Sequence, residues 1–285
     1  MTKRNNLDKI GGEVDTSTPV SVSGDQLSFA VPTEFVELPS GGAYYPEDHP
    51  LHGQETIEIK YMTAKEEDIL NSPALLKNGT AIDRMLQSVI LDSNVKVHEL
   101  LIGDKNALTV AARVAGYGSD YDVKITCPSC FKSTDCSVDL DSCKKLEGAV
   151  GGSIDKLEGV EKSERGLPLV TLPKTKLQVE VRFLNSKDEK DLEKLEENLV
   201  KHNLPPSSFT SMLKRIVASV NGNSDSSTIT RFVETMPAMD SKYLRGIYKI
   251  INPTMTLQHD FECPECSHDG TVEVPITPTF FWPDQ

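Results

Sequence analysis

Apolar residues recur at every second position in several short segments of the chain, a pattern that predicts β-strands with one buried face. The clearest case is residues 176–184, whose apolar residues share one face: Leu177, Val179, Val181 and Phe183. The same pattern predicts strands at residues 56–63, 121–126 and 257–262. Residues 134–141 are then expected to pair with residues 121–126 in a hairpin.

Apolar residues spaced three and four apart predict amphipathic helices elsewhere. The clearest stripe lies in residues 80–92 and consists of Ile82, Met85, Leu86, Val89 and Ile90. Further segments carry helical patterns: residues 64–70, 104–118, 186–203, 207–222, 227–236 and 241–252. In residues 186–203, the stripe opposite a charged face is formed by Leu192, Leu195, Leu199 and Val200. Two helix starts carry a predicted capping box, formed by Thr63 with Glu66 and by Ser186 with Glu189.

Glycine, proline and small polar residues mark the segments between these elements. Residues 1–26 are polar and poor in large apolar groups, which predicts a flexible N-terminal arm. Residues 35–54 predict an irregular surface loop that carries Tyr44 and Tyr45. Residues 147–166, rich in glycine and charge, predict a second solvated loop.

Composition narrows the class of protein. An apolar content of 38% and a charged content of 26% in 285 residues are typical of a soluble globular chain. The formal charge of −13 argues against nucleic-acid binding, which depends on Lys and Arg at the phosphates. The N-terminus lacks the apolar core of a signal peptide, and no run approaches the roughly 18 apolar residues of a membrane span. A cytosolic protein without membrane contact is therefore expected.

Six cysteines in such a chain favour metal binding over a disulfide framework. Four of them form two Cys-Pro-x-Cys motifs, far apart in sequence and each preceded by a strand pattern: Cys127, Cys130, Cys263 and Cys266. Two such pairs form the usual ligand set of a closed, tetrahedral zinc site. The sequence therefore predicts one structural Zn²⁺ held by four thiolates. Cys136 and Cys143 have no partner at ligand spacing and are expected to be buried or incidental thiols.

Other interpretations of the cysteines stay open at this stage. The two motifs could be unrelated buried or redox pairs, the metal could be iron, or His268 could replace one thiolate. With four protein ligands no coordination position remains for water, so the metal is not expected to be catalytic. The chain also lacks a P-loop, a dinucleotide glycine fingerprint, a nucleophile elbow and a calcium loop, and nothing in it favours an enzyme.

Together these patterns predict an α+β fold with a zinc-ribbon-like β-platform, built from the two distant cysteine knuckles. The predicted knuckle body comprises residues 27–143 and 252–285 and includes short helices. Residues 144–251 form the predicted insertion, which contains a loop, a strand and helices. Since the two knuckles flank this insertion, the chain is not expected to divide into two consecutive domains.

The C-terminal segment places three large aromatic residues in a row, Phe280, Phe281 and Trp282. Consecutive residues of one strand cannot all face inward, so two interpretations remain. The rings fold back onto the chain's own core, or they dock into a neighbouring subunit, where aromatic residues dominate binding energy.

Several segments resemble the baseplate protein family of T4-like tailed bacteriophages, which includes the baseplate hub assembly protein. The resemblance extends over most of residues 30–285 and is carried by LPSGGAYYPEDHPLHGQETIEIKYMTAKEEDIL, SSFTSMLKRIVASVNG, YLRGIYKIINPTM and the FFWP ending. It implies a non-enzymatic hub or wedge component, or an assembly factor, of a contractile tail. The expected location is the virion tail baseplate, with the host cytoplasm as the place of assembly.

The resemblance also implies the partners, which are other hub or wedge proteins rather than a small-molecule substrate. The expected partner-binding residues are Tyr44 and Tyr45 in the loop and Phe280, Phe281 and Trp282 at the C-terminus. The alternative hypothesis is a zinc-ribbon regulator that binds nucleic acid or the transcription machinery. The acidic charge argues against this alternative, as does the sparse basic character of the knuckles, limited to Lys124 and Lys132.

Overall fold

The computed structural model describes most of the chain, namely residues 31–147, 157–274 and 278–281. The predicted arm at residues 1–26 and the side chain of Trp282 lie outside the described residues. Thr33–Gln285 form one compact unit that mixes helices with several small sheets, which confirms the α+β prediction. The zinc-ribbon-like platform and the division into body and insertion stay predictions.

All sheets in the described part of the chain are small and antiparallel. The strands are β1 (Thr33–Glu37), β2 (Thr56–Lys60), β3 (Asp120–Thr126), β4 (Ser133–Asp139), β5 (Lys144–Glu147), β6 (Val160–Lys162), β7 (Pro168–Thr171), β8 (Gln178–Val181), β9 (Val217–Val220), β10 (Met255–Glu262) and β11 (Asp269–Glu273). β1 pairs with β2, and β3 forms the predicted hairpin with β4. β10 lies between β11 and β5, and β6 to β9 form the largest sheet in sequence order.

Helices cover and connect these sheets. They are α1 (Ala64–Leu70), α2 (Pro73–Lys77), α3 (Ala81–Val89), α4 (Ile102–Tyr117), α5 (Ser186–Lys201), α6 (Ser208–Ile216), α7 (Ser226–Thr235) and α8 (Ala238–Ile251), with 3₁₀ helices at Val97–Glu99 and Pro278–Phe281. α4 occupies a central position and contacts β1, β10, α3 and α5. At Gly103, near the start of α4, an added Cβ would lie 2.0 Å from the carbonyl oxygen of Pro253, so glycine permits this close approach.

Local signals in the sequence predict several elements correctly. The capping box of Thr63 and Glu66 opens α1, and α4 ends at Gly118, whose φ of 82° favours glycine. On α3, Met85 and Leu86 of the predicted stripe are buried. The stripe faces the core because its residues recur with the helical period.

Helix α6 is shorter than predicted. It ends at Ile216, and the following four residues form β9. Val217 and Val220 are opposite Val181 and Val179 of β8, and all four side chains are buried. Over so short a segment the valines fit both the helical and the strand period, and pairing with β8 decides in favour of the strand.

Strands also occur in two segments predicted as loops. β1 occupies the start of residues 35–54, and the turns that follow bury Leu38 and Leu51 in the core. β6 lies inside residues 147–166 and extends the largest sheet. Both strands are short, so they lack the repeated alternation by which a sequence pattern is recognised.

The start of α5 differs from the prediction by one residue. Asn185 accepts a hydrogen bond from the Asp188 N–H at 2.9 Å, and Asp188 accepts one from the Asn185 N–H at 3.3 Å. The predicted box of Ser186 and Glu189 is therefore wrong, and Ser186 is buried instead.

The stripe predicted along α5 is not buried as a whole. Leu195 is 41% exposed and Val200 is 75% exposed. The buried residues of this helix are Ser186 and Asp188. Its N-terminal turn is therefore packed against the rest of the protein, while its C-terminal half lies at the surface.

Candidate metal centre

The two Cys-Pro-x-Cys motifs form turns with the same backbone structure. In the first turn the Cys127 N–H donates to the Lys132 carbonyl oxygen at 2.9 Å. In the second the Cys263 N–H donates to the His268 carbonyl oxygen, also at 2.9 Å. Each turn connects the two strands of a hairpin, β3–β4 in one case and β10–β11 in the other. The similar sequences therefore fold into two equivalent knuckles.

Both knuckles contain a residue in the left-handed backbone region directly after the second cysteine. Phe131 has a φ of 58° and Ser267 a φ of 53°. Their N–H groups donate to the carbonyl oxygens of Cys127 and Cys263, each at 2.9 Å. This conformation closes the turn so that the two sulfur atoms of a knuckle face the same side.

The four sulfur atoms converge between the hairpin tips. All lie within 4.8 Å of one another, and the Sγ–Sγ distances are 3.7 Å for Cys127–Cys266 and 3.7 Å for Cys130–Cys263. A tetrahedral zinc with Zn–S bonds of about 2.3 Å requires sulfur atoms about 3.8 Å apart. The donor set and its spacing therefore fit such an ion, and the cysteines are free thiols rather than disulfides.

The surroundings of the Cys127 sulfur atom favour its thiolate form. Cys127 and Cys263 are buried, and the Ser129 N–H points at the Cys127 Sγ at 3.4 Å. Burial opposes ionisation of the Cys127 thiol, but the N–H groups of Cys130 and Ser129 outweigh this effect and lower its pKa to about 6. Thiolates are the form in which cysteine binds metal.

An ion pair crosses between the knuckles beside the sulfur atoms. Lys132 Nζ of the first knuckle lies 2.5 Å from Glu265 Oε2 of the second. This contact was not predicted, because a charge at the variable position of a Cys-Pro-x-Cys motif does not indicate which residue it faces. Both side chains are largely exposed, so the pair is expected to orient the tips more than to stabilise them.

A metal bound here would be enclosed by protein ligands and would connect two distant parts of the chain. Cys127 and Cys266 are 139 positions apart in sequence. Among the described residues, His268, Cys136 and Cys143 are not members of the clustered set. Such a site can hold two hairpins together, but it leaves no position for a substrate.

The loop tyrosines lie inside the chain. Tyr45 donates a hydrogen bond to Asp104 Oδ2 at 2.7 Å and accepts one from the Leu101 N–H at 3.1 Å. The Tyr44 ring lies 4.5 Å from the ring of Phe183. Both tyrosines are buried, so they hold the loop against the core. Their contact with a partner protein stays a prediction, and it would require the rings to leave these positions.

The C-terminal phenylalanines also contact the chain's own core, the first of the two interpretations. Phe280 packs edge-on against Tyr121 at 4.8 Å, and both Phe280 and Phe281 are buried. The buried Arg113 donates to the carbonyl oxygen of Phe280 at 2.8 Å. Arg113 thereby fixes this segment, and a lone arginine in an apolar helix gives no sequence signal for such a role. Docking of the aromatic end into a partner stays a prediction.

Comparisons with known proteins identify a family. The family model described as T4 bacteriophage base plate protein matches residues 31–282, which is most of the chain. Neither the curated proteins nor the solved structures gave a match. Within the described residues, no helix has the length and apolar character needed to cross a membrane.

Proposed function

Because this chain belongs to the T4 bacteriophage base plate protein family, we propose that it is a structural or assembly component of a contractile tail baseplate, in the hub or the wedge. The observation that carries this proposal is the family match over residues 31–282. The protein acts through contacts with other baseplate proteins and not by catalysis. It is assembled in the host cytoplasm and located in the virion tail.

We further propose that one structural Zn²⁺ is bound by the clustered thiolates of Cys127, Cys130, Cys263 and Cys266. The sulfur spacing and the repeated knuckle geometry support this assignment. When bound, the ion would cross-link the β3–β4 and β10–β11 hairpins through metal–sulfur bonds. A baseplate component benefits from such a link because it must keep its shape while neighbouring proteins assemble around it.

The partner contacts proposed from the sequence are the loop that carries Tyr44 and Tyr45 and the aromatic C-terminus at Phe280, Phe281 and Trp282. The buried tyrosines hold the loop against the core, and most residues between them and β2 are exposed, so the loop can meet a partner with its outer surface. Alanine at Phe281 and Trp282 tests the C-terminal part. Unchanged assembly with partner proteins would exclude that contact.

The proposed function is tested in the phage that encodes the chain. A stop codon early in the gene should give particles without complete baseplates, seen by electron microscopy of infected-cell lysates, and a plasmid copy should restore them. Complete, contractile tails in the absence of the protein would overturn the proposal.

The metal assignment is tested by mass spectrometry of the purified protein. We expect about one zinc per chain, its loss when Cys263 and Cys266 are both replaced by serine, and its retention in the control Cys136→Ser. Iron in place of zinc would correct the identity of the metal. Absence of any metal from a folded wild-type chain would remove the proposed link between the hairpins.

A further inference from the structure

A cavity of about 330 Å³ runs along strand β1, between this strand and α4. The four consecutive residues Glu34–Glu37 all line it. Successive residues of a strand point to opposite faces, so a cavity that meets all four lies along the edge of the strand. On the opposite wall, Ala107 and Ala111 of α4 leave space because their side chains are small.

No strand of the described residues pairs with the edge of β1 that borders this cavity. Among the described strands, β1 pairs with β2 alone, in a sheet of two strands. An open edge presents unpaired backbone N–H and C=O groups, which can accept an added strand from another protein. Phe35 is 70% exposed beside this edge and offers an apolar surface to such a strand.

The cavity also carries negative charge. Glu34, Glu37 and Asp141 line it, and among the side chains that the structure describes no lysine or arginine forms an ion pair with them. Glu34 Oε1 is buried, and no group of the described residues forms a hydrogen bond with it. Burial raises the pKa of Glu34 because the charged form loses hydration. A donor that entered the cavity would satisfy this oxygen, and a cationic donor would stabilise the carboxylate.

We propose that this edge binds an extended, basic segment of a neighbouring baseplate protein. The segment pairs with β1 as a third strand and places a lysine or arginine side chain in the cavity, where it contacts the carboxylate of Glu34. The inference rests on the proposed function, since it names a surface and the chemistry of the partner that a baseplate component contacts.

A second copy of this chain fits the site less well. Pairing of β1 with β1 would bring the glutamates of the two edges together, and like charges on paired strands are destabilising. The whole chain has a formal charge of −13, which disfavours self-association further. A basic partner segment would instead place positive charge opposite the glutamates of β1 and would be attracted by the net negative charge of the chain.

The binding test uses two synthetic peptides on the full-length protein. The probe Ac-Val-Lys-Val-Lys-Val-Lys-Val-NH₂ can place a lysine near Glu34 in more than one register, and the same peptide with glutamate in place of lysine is the control. Isothermal titration measures affinity, and ¹⁵N NMR locates the contact. We expect the lysine peptide to bind and to shift the amide signals of β1, and the glutamate peptide not to bind.

Matched variants assign the binding to the cavity. Glu34→Gln removes the charge and Ala111→Leu fills the space, and each should weaken the lysine peptide at least tenfold. Glu55→Gln and Ala74→Leu make the same changes at exposed positions that do not line the cavity and should leave affinity unchanged. Circular dichroism confirms that each variant is folded, and Glu34→Gln carries the test if Ala111→Leu does not fold.

Three outcomes would overturn the inference: no binding of the lysine peptide, equal binding by Glu34→Gln, or NMR shifts confined to other surfaces. If Glu34→Gln self-associates and the peptide does not bind, the inference is also wrong. The Glu34 carboxylate would then serve to prevent the β1 edges of two copies from pairing. If Glu34→Gln restores complete particles to the phage that lacks the gene, the inference fails while the proposed function stands. If particles are complete without the gene, the proposed function fails, and peptide binding still reports on the cavity.

Discussion

Glu66 is a fully buried carboxylate in the capping box of α1. It accepts hydrogen bonds from Ser88 at 2.6 Å, from Lys60 at 2.9 Å, and from both the hydroxyl and the N–H of Thr63. Burial alone would raise the pKa of Glu66, but these bonds outweigh it and lower the pKa to about 2. One residue thereby joins β2, α1 and α3.

The Glu66 network predicts a specific pH dependence. Since the folded-state pKa lies below the ordinary value of 4.5, the stabilisation is complete above that pH and is lost as pH falls towards 2. Glu66→Gln should lower the free energy of unfolding by about 2–3 kcal/mol at pH 7. Urea denaturation at pH 7 and pH 3 should show the difference from wild type shrinking at low pH. Glu55→Gln, an exposed control, should show little effect at either pH, and a constant difference for Glu66→Gln would contradict the assigned charge state.

Phe131 combines two unfavourable features in the first knuckle. It adopts a φ of 58°, and its side chain is 78% exposed. A side chain in the left-handed region costs about 1 kcal/mol, a penalty that glycine avoids. The position therefore suits glycine better than phenylalanine on backbone grounds.

Phe131→Gly should raise the free energy of unfolding by about 0.5–1 kcal/mol, because it removes this backbone strain. Phe209→Gly is the matched control, since Phe209 is also exposed but lies in helix α6, where glycine is unfavourable and should lower stability. Thermal and urea denaturation of the metal-loaded proteins measure both changes. A loss of stability in Phe131→Gly would show that the phenyl ring makes a stabilising contact that outweighs the strain.

At the scale of elements, the start of α5 shows how a capping residue is selected. The sequence pattern predicted Ser186 as the capping residue, and the structure uses Asn185, a residue type that is equally favoured at this position. Ser186 is buried and its backbone N–H donates to the Leu100 carbonyl oxygen at 3.0 Å. Because of this tertiary contact, Ser186 is the first residue of the helix and Asn185 is its N-cap.

Alanine at the two candidate boxes distinguishes them. Asn185→Ala should lower the free energy of unfolding by about 1 kcal/mol because the first turn loses its acceptor. Glu189→Ala should change it by less than about 0.5 kcal/mol, since its ion pair with Lys105 is long, at 4.0 Å, and partly exposed. Urea denaturation at neutral pH compares the two. A larger loss for Glu189→Ala than for Asn185→Ala would restore the box that the sequence pattern suggested.

The elements that were predicted correctly have local causes, and those that were not depend on distant partners. The apolar stripe of α3 and the box of Thr63 with Glu66 are each formed by residues a few positions apart, so the local pattern alone specifies these elements. β9 is a strand because β8 lies beside it, and β8 is far away in sequence. The exposed half of α5 has the same apolar period as a buried helix, and the pattern does not reveal which part of it meets the core.

At the scale of the whole molecule, the clustering of the four cysteines was predictable from the sequence, and the role of Arg113 was not. The repeated Cys-Pro-x-Cys motif predicts all four cysteines of the cluster, and their sulfur atoms lie close together in the structure. Arg113, which donates to the carbonyl oxygens of Phe280, Gly118 and Asp120, has no such signal. A buried arginine satisfied by backbone carbonyls is visible only after the C-terminal segment has been placed in three dimensions.

Loss of the proposed zinc is expected to affect one part of the fold and not the whole chain. The β3–β4 and β10–β11 hairpins belong to separate sheets, so their tips depend on the thiolate cluster and on the Lys132–Glu265 pair. The sheet of β6 to β9 contains none of the four cysteines and is held by its own buried valines. If the proposed zinc is bound, its removal by a chelator should therefore raise hydrogen exchange at the amides of both hairpins by at least tenfold and leave β7 to β9 protected. Cys136→Ser, treated in the same way, should behave like wild type. Uniform loss of protection would mean that the ion stabilises the entire fold, and unchanged exchange at the hairpins would mean that it does not link them.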